Sequence, residues 1–329
     1  MSQNMQPYEG LGPDQVLDCI EATGRYCTGG FLALNSYENR VYQVALEDRE
    51  YVVAKFYRPG RWTNAAILEE HAFALELADA EVPVVAPLVD ADGKTLHEIN
   101  GYRFALFPRR GGRSPELDND ENLRWLGRFL GRMHMVGAQD RFKHREKLGV
   151  SRAQQATTFV QESDFLPSYL RDSYRAVAND LLAHIERCFD SVFDLRMIRL
   201  HGDCHPGNIL WTDAGPHFVD LDDAVMGPAI QDLWMLLSGY RDEQSRQMQL
   251  IIEGYQQFRE FDPQELLLIE ALRSIRMIHY AAWLARRWDD PAFPQAFPWF
   301  ASPRFWEEHV QELKEQLALI AEPAISIAY

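Results

Sequence analysis

The interval at which apolar residues recur changes once along this chain, from two to about 3.6, and that switch limits the folds open to it. From Phe31 to Tyr57 the pattern is that of strands: FLAL, then VYQVAL, an acidic turn at Glu47-Asp48-Arg49-Glu50, then YVVAKFY. Tyr51, Val53, Lys55 and Tyr57 share one face of the last of these. Residues Asn64 to Ala80 contain neither Gly nor Pro and are rich in helix formers, until Pro83 stops the helix. Short strands at Val84-Val85 and Tyr102 to Phe107 are expected to complete a small sheet with one helix. Beyond a turn-rich stretch at Arg110 to Pro115 the helical period takes over, first in Leu123, Leu126, Leu130 and Met133. The expected fold class is therefore α+β, with a small β-rich lobe over residues 1–108 and a larger, mainly helical lobe over 109–329.

One island interrupts the helical part. MIRLH, NILW and HFVDL, between Met197 and Asp223, are short, apolar and separated by Gly/Pro turns, as in a polar hairpin. Helices follow around 243–260, 264–288 and 304–321. Composition narrows the partners. The 329 residues carry a formal net charge of −16, a field that repels nucleic-acid backbones and anionic headgroups. Neither half is basic, so neither a nucleic-acid nor a membrane partner is expected. Four scattered cysteines form neither a disulfide framework nor a C-x-x-C metal site. With no signal-like N-terminus and no long apolar run, a cytoplasmic monomer is expected.

The island carries the chemistry. It reads His201-Gly202-Asp203-Cys204-His205-Pro206-Gly207-Asn208, and twelve residues later comes Asp220, followed by Asp222 and Asp223. Carboxylates and amide carbonyls are hard ligands suited to Mg²⁺, which binds through one or two protein carboxylates plus substrate phosphates. Asn208 and Asp220, on the two arms of the hairpin, are the candidate metal ligands. Asp203, at the mouth of the same loop, can take a proton from an incoming hydroxyl. The spacing matches the protein-kinase catalytic loop followed by the metal-binding Asp, with Gly202 where those enzymes carry Arg.

A kinase also needs a strand lysine for the nucleotide phosphates and a helix glutamate to hold it. Lys55 lies inside an apolar strand, where an unpaired charge is costly. On the next helix Glu70 interrupts the apolar stripe of Ala66, Ile67, Phe73, Ala74 and Leu77, whereas Glu69 points about 100° away. The two inward charges are expected to be partners. No G-x-G-x-x-G is present, and the turn from Leu34 to Arg40 offers backbone amides and the Ser36 hydroxyl instead.

LNSYENRVYQV, KFYRPGRW, ILEEHAFALEL, LHGDCHPGNILW, VDLDDAVMGPAIQDLWMLL and WLARRWDDPAFPQAFPW together resemble the stress response kinase A family of bacterial serine/threonine kinases, in the aminoglycoside phosphotransferase-like superfamily. The resemblance runs from about residue 11 to 321. It implies a bilobal protein-kinase-like fold, ATP and Mg²⁺ as cofactors, and transfer to Ser/Thr hydroxyls of a protein substrate in a stress response. Residue by residue, it makes Asp203 the proton acceptor, Asn208 and Asp220 metal ligands, with Asp220 also catalytic. Lys55 and Glu70 become the nucleotide-positioning pair, Ser36 a phosphate contact, and Phe107 to Arg109 the adenine contact.

Neighbouring residues read differently. His201 suits holding the turn, Asp232 capping a helix or bracing the loop, and the late aromatics Tyr280, Trp283, Trp288, Phe297 and Trp299 packing. Arg109, Arg110 and Arg113 suit a solvated turn. His205 and Asp222 stand near enough in sequence to join phosphate or metal binding, and the sequence leaves both open. Other functions remain. A small-molecule kinase of the aminoglycoside, choline or homoserine kinase type fits the same motifs. A metallophosphoesterase using His201, Asp203, His205 and Asp220 lacks a later G-N-H or G-H-x-H segment. A silent pseudokinase is opposed by the presence of all five working residues. The stretch from Asp220 to Asp232 offers no phosphosite, so no activation-loop phosphorylation is expected.

Overall fold

The computed structural model describes residues 7–47 and 49–327. Asp48, in the expected acidic turn, lies outside the described residues. The chain runs through α1 (Pro13–Glu21), β1 (Cys27–Leu34), β2 (Arg40–Leu46), β3 (Tyr51–Phe56), α2 (Asn64–Asp79), β4 (His97–Ile99) and β5 (Tyr102–Pro108). Next come α3 (Asp120–Gly137), α4 (Val150–Glu162), α5 (Arg171–Ser191), β6 (Ile198–Leu200), β7 (Ile209–Thr212), β8 (Gly215–Phe218) and β9 (Val225–Gly227). Helices α6 (Ile230–Trp234), α7 (Arg241–Tyr255), α8 (Ile269–Arg287), α9 (Ala292–Ala296) and α10 (Pro303–Ile320) complete it. Two compact units result. Among the described residues, the first takes 7–115, 142–145 and 206–224, and the second 116–141, 146–205 and 225–327.

The first unit is built on an antiparallel five-stranded sheet in the order β1-β2-β3-β5-β4. Alternation along β3 sends Val52, Ala54 and Phe56 into a core with Val16, Cys19 and Ile20 of α1, and Val53 and Lys55 to the other face. Ile67 of α2 packs with Tyr57 and Ala105 in a second cluster. Thr63 starts α2 by accepting a hydrogen bond from the Ala66 amide at 3.2 Å. One sequence expectation needs correcting. Val84-Val85 is not a strand of this sheet, whose fifth strand is β4; Val84 forms an isolated parallel bridge with Phe218, and the Val85 amide donates to the Phe218 carbonyl at 2.9 Å. The pair is short, and its backbone partner is more than a hundred residues away, beyond the reach of a local pattern.

The hairpin β7–β8 belongs to this unit, with register Ile209↔Phe218 to Thr212↔Gly215. Asn208 and Asp220 stand just outside its arms, where the Val219 amide donates to the Asn208 carbonyl at 3.0 Å. MIRLH is a separate element. Its strand β6 pairs with β9 in the second unit.

The second unit is mainly helical, with α4 against α8 and α5 against both α8 and α10. Helices α3 and α7 approach so closely that three glycines, Gly127, Gly131 and Gly254, are required. A Cβ on Gly127 would stand 2.0 Å from the Ile251 carbonyl oxygen, and one on Gly254 would stand 2.0 Å from that of Arg124. Backbone cannot yield as a flexible side chain can. Gly254→Ala should therefore cost about 1–3 kcal/mol of stability, read as a lowered denaturant midpoint, whereas Gly111→Ala, which meets nothing within 4 Å, should leave the midpoint unchanged.

Behind the sheet of the first unit, His71 of α2 is almost wholly buried between the Tyr57 hydroxyl, 2.7 Å from Nε2, and Thr95 Oγ1, 2.8 Å from Nδ1. Burial, aided by the Lys55 charge, pushes its pKa down from 6.5 to about 3. A depressed histidine stabilises the folded state above its unfolded value, and that contribution falls as pH drops from 6.5 toward 3, because the unfolded chain binds the proton first. The stability advantage of wild type over His71→Gln should shrink by about 2 kcal/mol between pH 7 and pH 5, measured by urea unfolding. A difference independent of pH would contradict this.

Candidate functional site

In the first unit, Lys55 is a buried ammonium in the middle of β3. It faces away from the α1 core because it shares a strand face with Val53. Its Nζ donates to Asp220 Oδ1 at 2.7 Å and lies 3.5 Å from Asp222 Oδ1. Burial alone would lower its pKa, but the carboxylates of Asp220, Asp222 and Glu70 more than offset that and raise it. Lys55 is thus a fixed cation.

Glu70 reaches the same place from α2, as its position in the apolar stripe indicates, and is 3% exposed. Among the described residues, however, no hydrogen bond joins it to Lys55. Its carboxylate has Arg145 Nη1 at 3.9 Å, and Oε2 is buried without a hydrogen-bond partner. Burial pushes the Glu70 pKa up, with Lys55 and Arg145 pulling back only in part. Glu69 is turned elsewhere and accepts from the backbone amides of Lys143 and His144 at 2.7 and 2.8 Å. The helix thus separates an anchoring glutamate from an inward one, but the partner that holds Lys55 by hydrogen bond is Asp220.

The two aspartates after β8 have different surroundings. Asp220 has φ +61°, in the left-handed region, and keeps half of its side chain exposed (51%). A non-glycine residue there is uncommon, Asp and Asn being the usual occupants. Asp222 is buried and tied down. Its Oδ2 accepts from Asn39 Nδ2 at 3.0 Å and from the Arg61 guanidinium, and its carbonyl accepts from Arg145. Burial would raise its pKa, but Arg61, Lys55 and Arg145 together hold it below the usual carboxylate value. Asp222 is a structural knot, and Asp220 is the carboxylate left open.

These groups border a cavity of about 320 Å³ in the first unit. Ser36, Lys55, Glu70, Phe107, Asn208 and Asp220 all line it, with Val41, Val53, Ala74 and Leu210 giving apolar walls. That size and that mix of apolar wall and convergent polar groups suit a small-molecule or nucleotide site. A divalent cation fits the donors at one end. Asp220 offers an open carboxylate and Asn208 an amide oxygen, a sparse set of hard ligands that leaves room for phosphate oxygens. Among the described residues no group of three or more His, Cys, Asp or Glu is placed to hold a metal ion by itself.

In the second unit, the His201-Gly202-Asp203 turn hangs on Asp232. The His201 amide donates to Asp232 Oδ2 at 2.9 Å and the Gly202 amide to Oδ1 at 2.8 Å. Gly202 has φ +84°, a turn conformation that favours glycine. Asp232 Oδ2 also lies 3.0 Å from His134 Nε2, and His134 Nδ1 lies 3.0 Å from the Tyr255 hydroxyl, itself 2.8 Å from Arg259 Nη1. Burial keeps the His134 pKa down. With a carboxylate at Nε2, that nitrogen carries the ring proton and Nδ1 accepts from Tyr255. Gln231 Nε2 adds a bond to the Gly202 carbonyl at 2.9 Å. His201 is fully buried in this frame. Asp203 remains partly exposed at its end, with Arg276 Nη1 at 2.5 Å from Oδ1 and His205 Nε2 at 3.5 Å from Oδ2.

Asn39, Arg61, Arg145, His134, Tyr255 and Arg276 escaped the sequence reading. Asn39 and Arg61 stood in motifs, LNSYENRVYQV and KFYRPGRW, and nothing in either indicates which carboxylate they meet. Tyr280 and Trp299, expected to pack, are 41% and 42% exposed.

The pattern of the phosphotransferase enzyme family (APH) matches residues 31–269. Stress response kinase A of Escherichia coli (strain K12) is 45% identical over 328 residues, 99% of each chain. Serine/threonine protein kinase RdoA of Salmonella typhimurium is 44% identical over 328 residues, again 99% of each. Among solved structures, amicoumacin kinase hAmiN, in complex with AMP-PNP, Ca²⁺ and Ami, superposes with a TM-score of 0.72 at 19% identity, covering 95% of this chain and 94% of its own. A microcompartment-associated aminopropanol kinase gives 0.67 at 17% identity, covering 93% and 96%. At such identities the structural likeness speaks for the fold alone, which is the protein-kinase-like fold of these phosphotransferases. Among the described residues no helix is long and apolar enough to cross a membrane. Full-length identity and the family match together establish that the chain belongs to the phosphotransferase enzyme family and, within it, to the stress response kinase A proteins.

Proposed function

We propose that this chain is a Mg²⁺-dependent kinase that transfers the γ-phosphoryl group of ATP to Ser/Thr hydroxyls of a protein substrate in a bacterial stress response. The observation that carries the reading is the meeting, in one cavity, of a fixed cation at Lys55 and two oxygen ligands at Asn208 and Asp220. The full-length likeness to proteins named stress response kinase A and serine/threonine protein kinase supports the acceptor class and the stress role.

Each residue then has a task. Lys55 offers its charge to phosphate oxygens, exchanging its present carboxylate partners for them in part. Ser36 and the polar turn around it give hydrogen-bond donors to the same phosphates, and Phe107 borders the base. Asn208 and Asp220 would hold the metal ion, which supplies positive charge to the phosphate oxygens when bound. Glu70 and Asp222 keep the Lys55 side chain in a negative setting. Asp203 orients the acceptor hydroxyl and accepts its proton. The hydroxyl oxygen forms a bond to the γ-phosphorus, the bond from that phosphorus to the β–γ bridging oxygen breaks, and ADP leaves with the electron pair. No Ser, Thr or Tyr occurs from Leu221 to Asp232, and that stretch is largely buried, which supports activity without phosphorylation there.

Transfer from γ-labelled ATP to protein acceptors, with a panel of small hydroxyl compounds alongside, tests the reading. Asp203→Ala and Asp220→Ala should each lower kcat by about 100-fold or more, as expected for loss of a general base or of a metal ligand. Undiminished transfer by either variant contradicts its role. Fast labelling of a small compound with none of protein would replace the protein acceptor by a metabolite.

A further inference from the structure

The cations around Asp203 limit what its acceptor can be. Asp203 Oδ1 is 2.5 Å from Arg276 Nη1, and Oδ2 is 3.5 Å from His205 Nε2, an imidazole charged only when protonated. Arg276 comes from α8, far along the chain, and its side chain is 47% exposed. Arg273, also on α8, ion-pairs with Glu270 at 3.1 Å, and Arg152 of α4, the helix packed against α8, ion-pairs with Glu146 at 4.0 Å. Arg276 ion-pairs with the carboxylate of Asp203 itself.

That partnership changes during the reaction proposed above, on which this inference rests. When Asp203 takes the hydroxyl proton it loses its negative charge, and Arg276 loses its counter-ion at that moment. A negative group on the acceptor, close to the reacting hydroxyl, would then take its place. An ammonium there would instead meet the Arg276 guanidinium both before and after proton transfer. The effect belongs to the transition state more than to the ground state, since Arg276 is satisfied while Asp203 is ionised.

We infer that Arg276 is a specificity-determining residue that selects acceptors carrying an acidic group beside the hydroxyl, such as a Ser or Thr flanked by Asp or Glu, and disfavours amine-bearing acceptors. The Arg276 side chain is nearly half exposed, so an acceptor side chain can reach it.

The test compares label transfer from γ-labelled ATP to two serine peptides that differ only in flanking residues, Asp in one and Lys in the other. Glycerate and aminopropanol serve as the matching small acceptors. Wild type should favour the acidic member of the productive pair by about two- to fivefold in kcat/KM, the scale of an exposed charge pair, with most of the change in kcat. Arg276→Glu should abolish or reverse that preference, and Arg276→Lys should largely keep it. A folding defect or a merely structural role would lower both rates together and leave their ratio in place, which would overturn the inference. Transfer indifferent to acceptor charge in wild type would overturn it too while leaving the kinase reading intact. No transfer to any acceptor would overturn the kinase reading and this inference with it.

Discussion

A lysine buried in the middle of a strand must be matched by negative charge, and the first unit is arranged around that requirement. Lys55 sits among Asp220, Asp222 and Glu70, and Arg61 and Arg145 hold those carboxylates in turn. Breaking one member of such a cluster leaves an uncompensated charge in a poorly solvated place, which costs more than the pair itself contributes. This explains why the hairpin β7–β8 and the short segment Phe142–Arg145 belong with the sheet although they are distant in sequence. Asp220 and Asp222, just after the hairpin, and Arg145, in the short segment, are members of the charge cluster around Lys55. The cluster also divides the labour of its acids. Asp222 is consumed by Arg61 and Asn39, whereas Asp220 keeps an open side chain in a left-handed backbone conformation, a form of local strain that recurs at functional positions.

The second unit solves a different problem, that of presenting an aspartate on a turn without letting the turn move. Asp232 takes two consecutive backbone amides, and its own position is set through His134, Tyr255 and Arg259. The links joining His201, Asp232, His134 and Tyr255 are buried, where hydrogen bonds are strongest and unmade ones are most costly, and those to Gly202 and Arg259 are partly so. Asp203 follows directly in the chain, so its backbone inherits this order. Positioning of a reacting group accounts for much of the rate that enzymes achieve, and in the proposed reaction this frame would supply it to Asp203.

Much of this was legible because local rules decide it. Alternation in YVVAKFY set Lys55 apart from the α1 core, the helical stripe separated Glu70 from Glu69, and the spacing of Asp203, Asn208 and Asp220 marked the loop. What local rules cannot supply is the identity of partners far along the chain. Glu70 and Lys55 both turn inward, as their patterns indicate, but the hydrogen bond to Lys55 comes from Asp220, 165 residues away. Val84-Val85 has the composition of a strand, yet its backbone partner is Phe218 of the hairpin. Asp232 was read as a cap or a brace, and the brace is what its hydrogen bonds describe, but His134 and Tyr255 have no signature that separates them from ordinary core residues. Arg276 sits on a helix face with no periodic anomaly, and only the fold brings it to Asp203.

In the proposed reaction Lys55 acts on the nucleotide phosphates and Asp220 on the metal ion. Equilibrium titration with a fluorescent ATP analogue, with and without Mg²⁺, tests it most directly. Wild type should bind more tightly with Mg²⁺ than without. Asp220→Asn should lose that gain while keeping metal-free binding, and Lys55→Met should weaken binding under both conditions. A Mg²⁺ gain undiminished in Asp220→Asn, or affinity unchanged in Lys55→Met, would contradict the account.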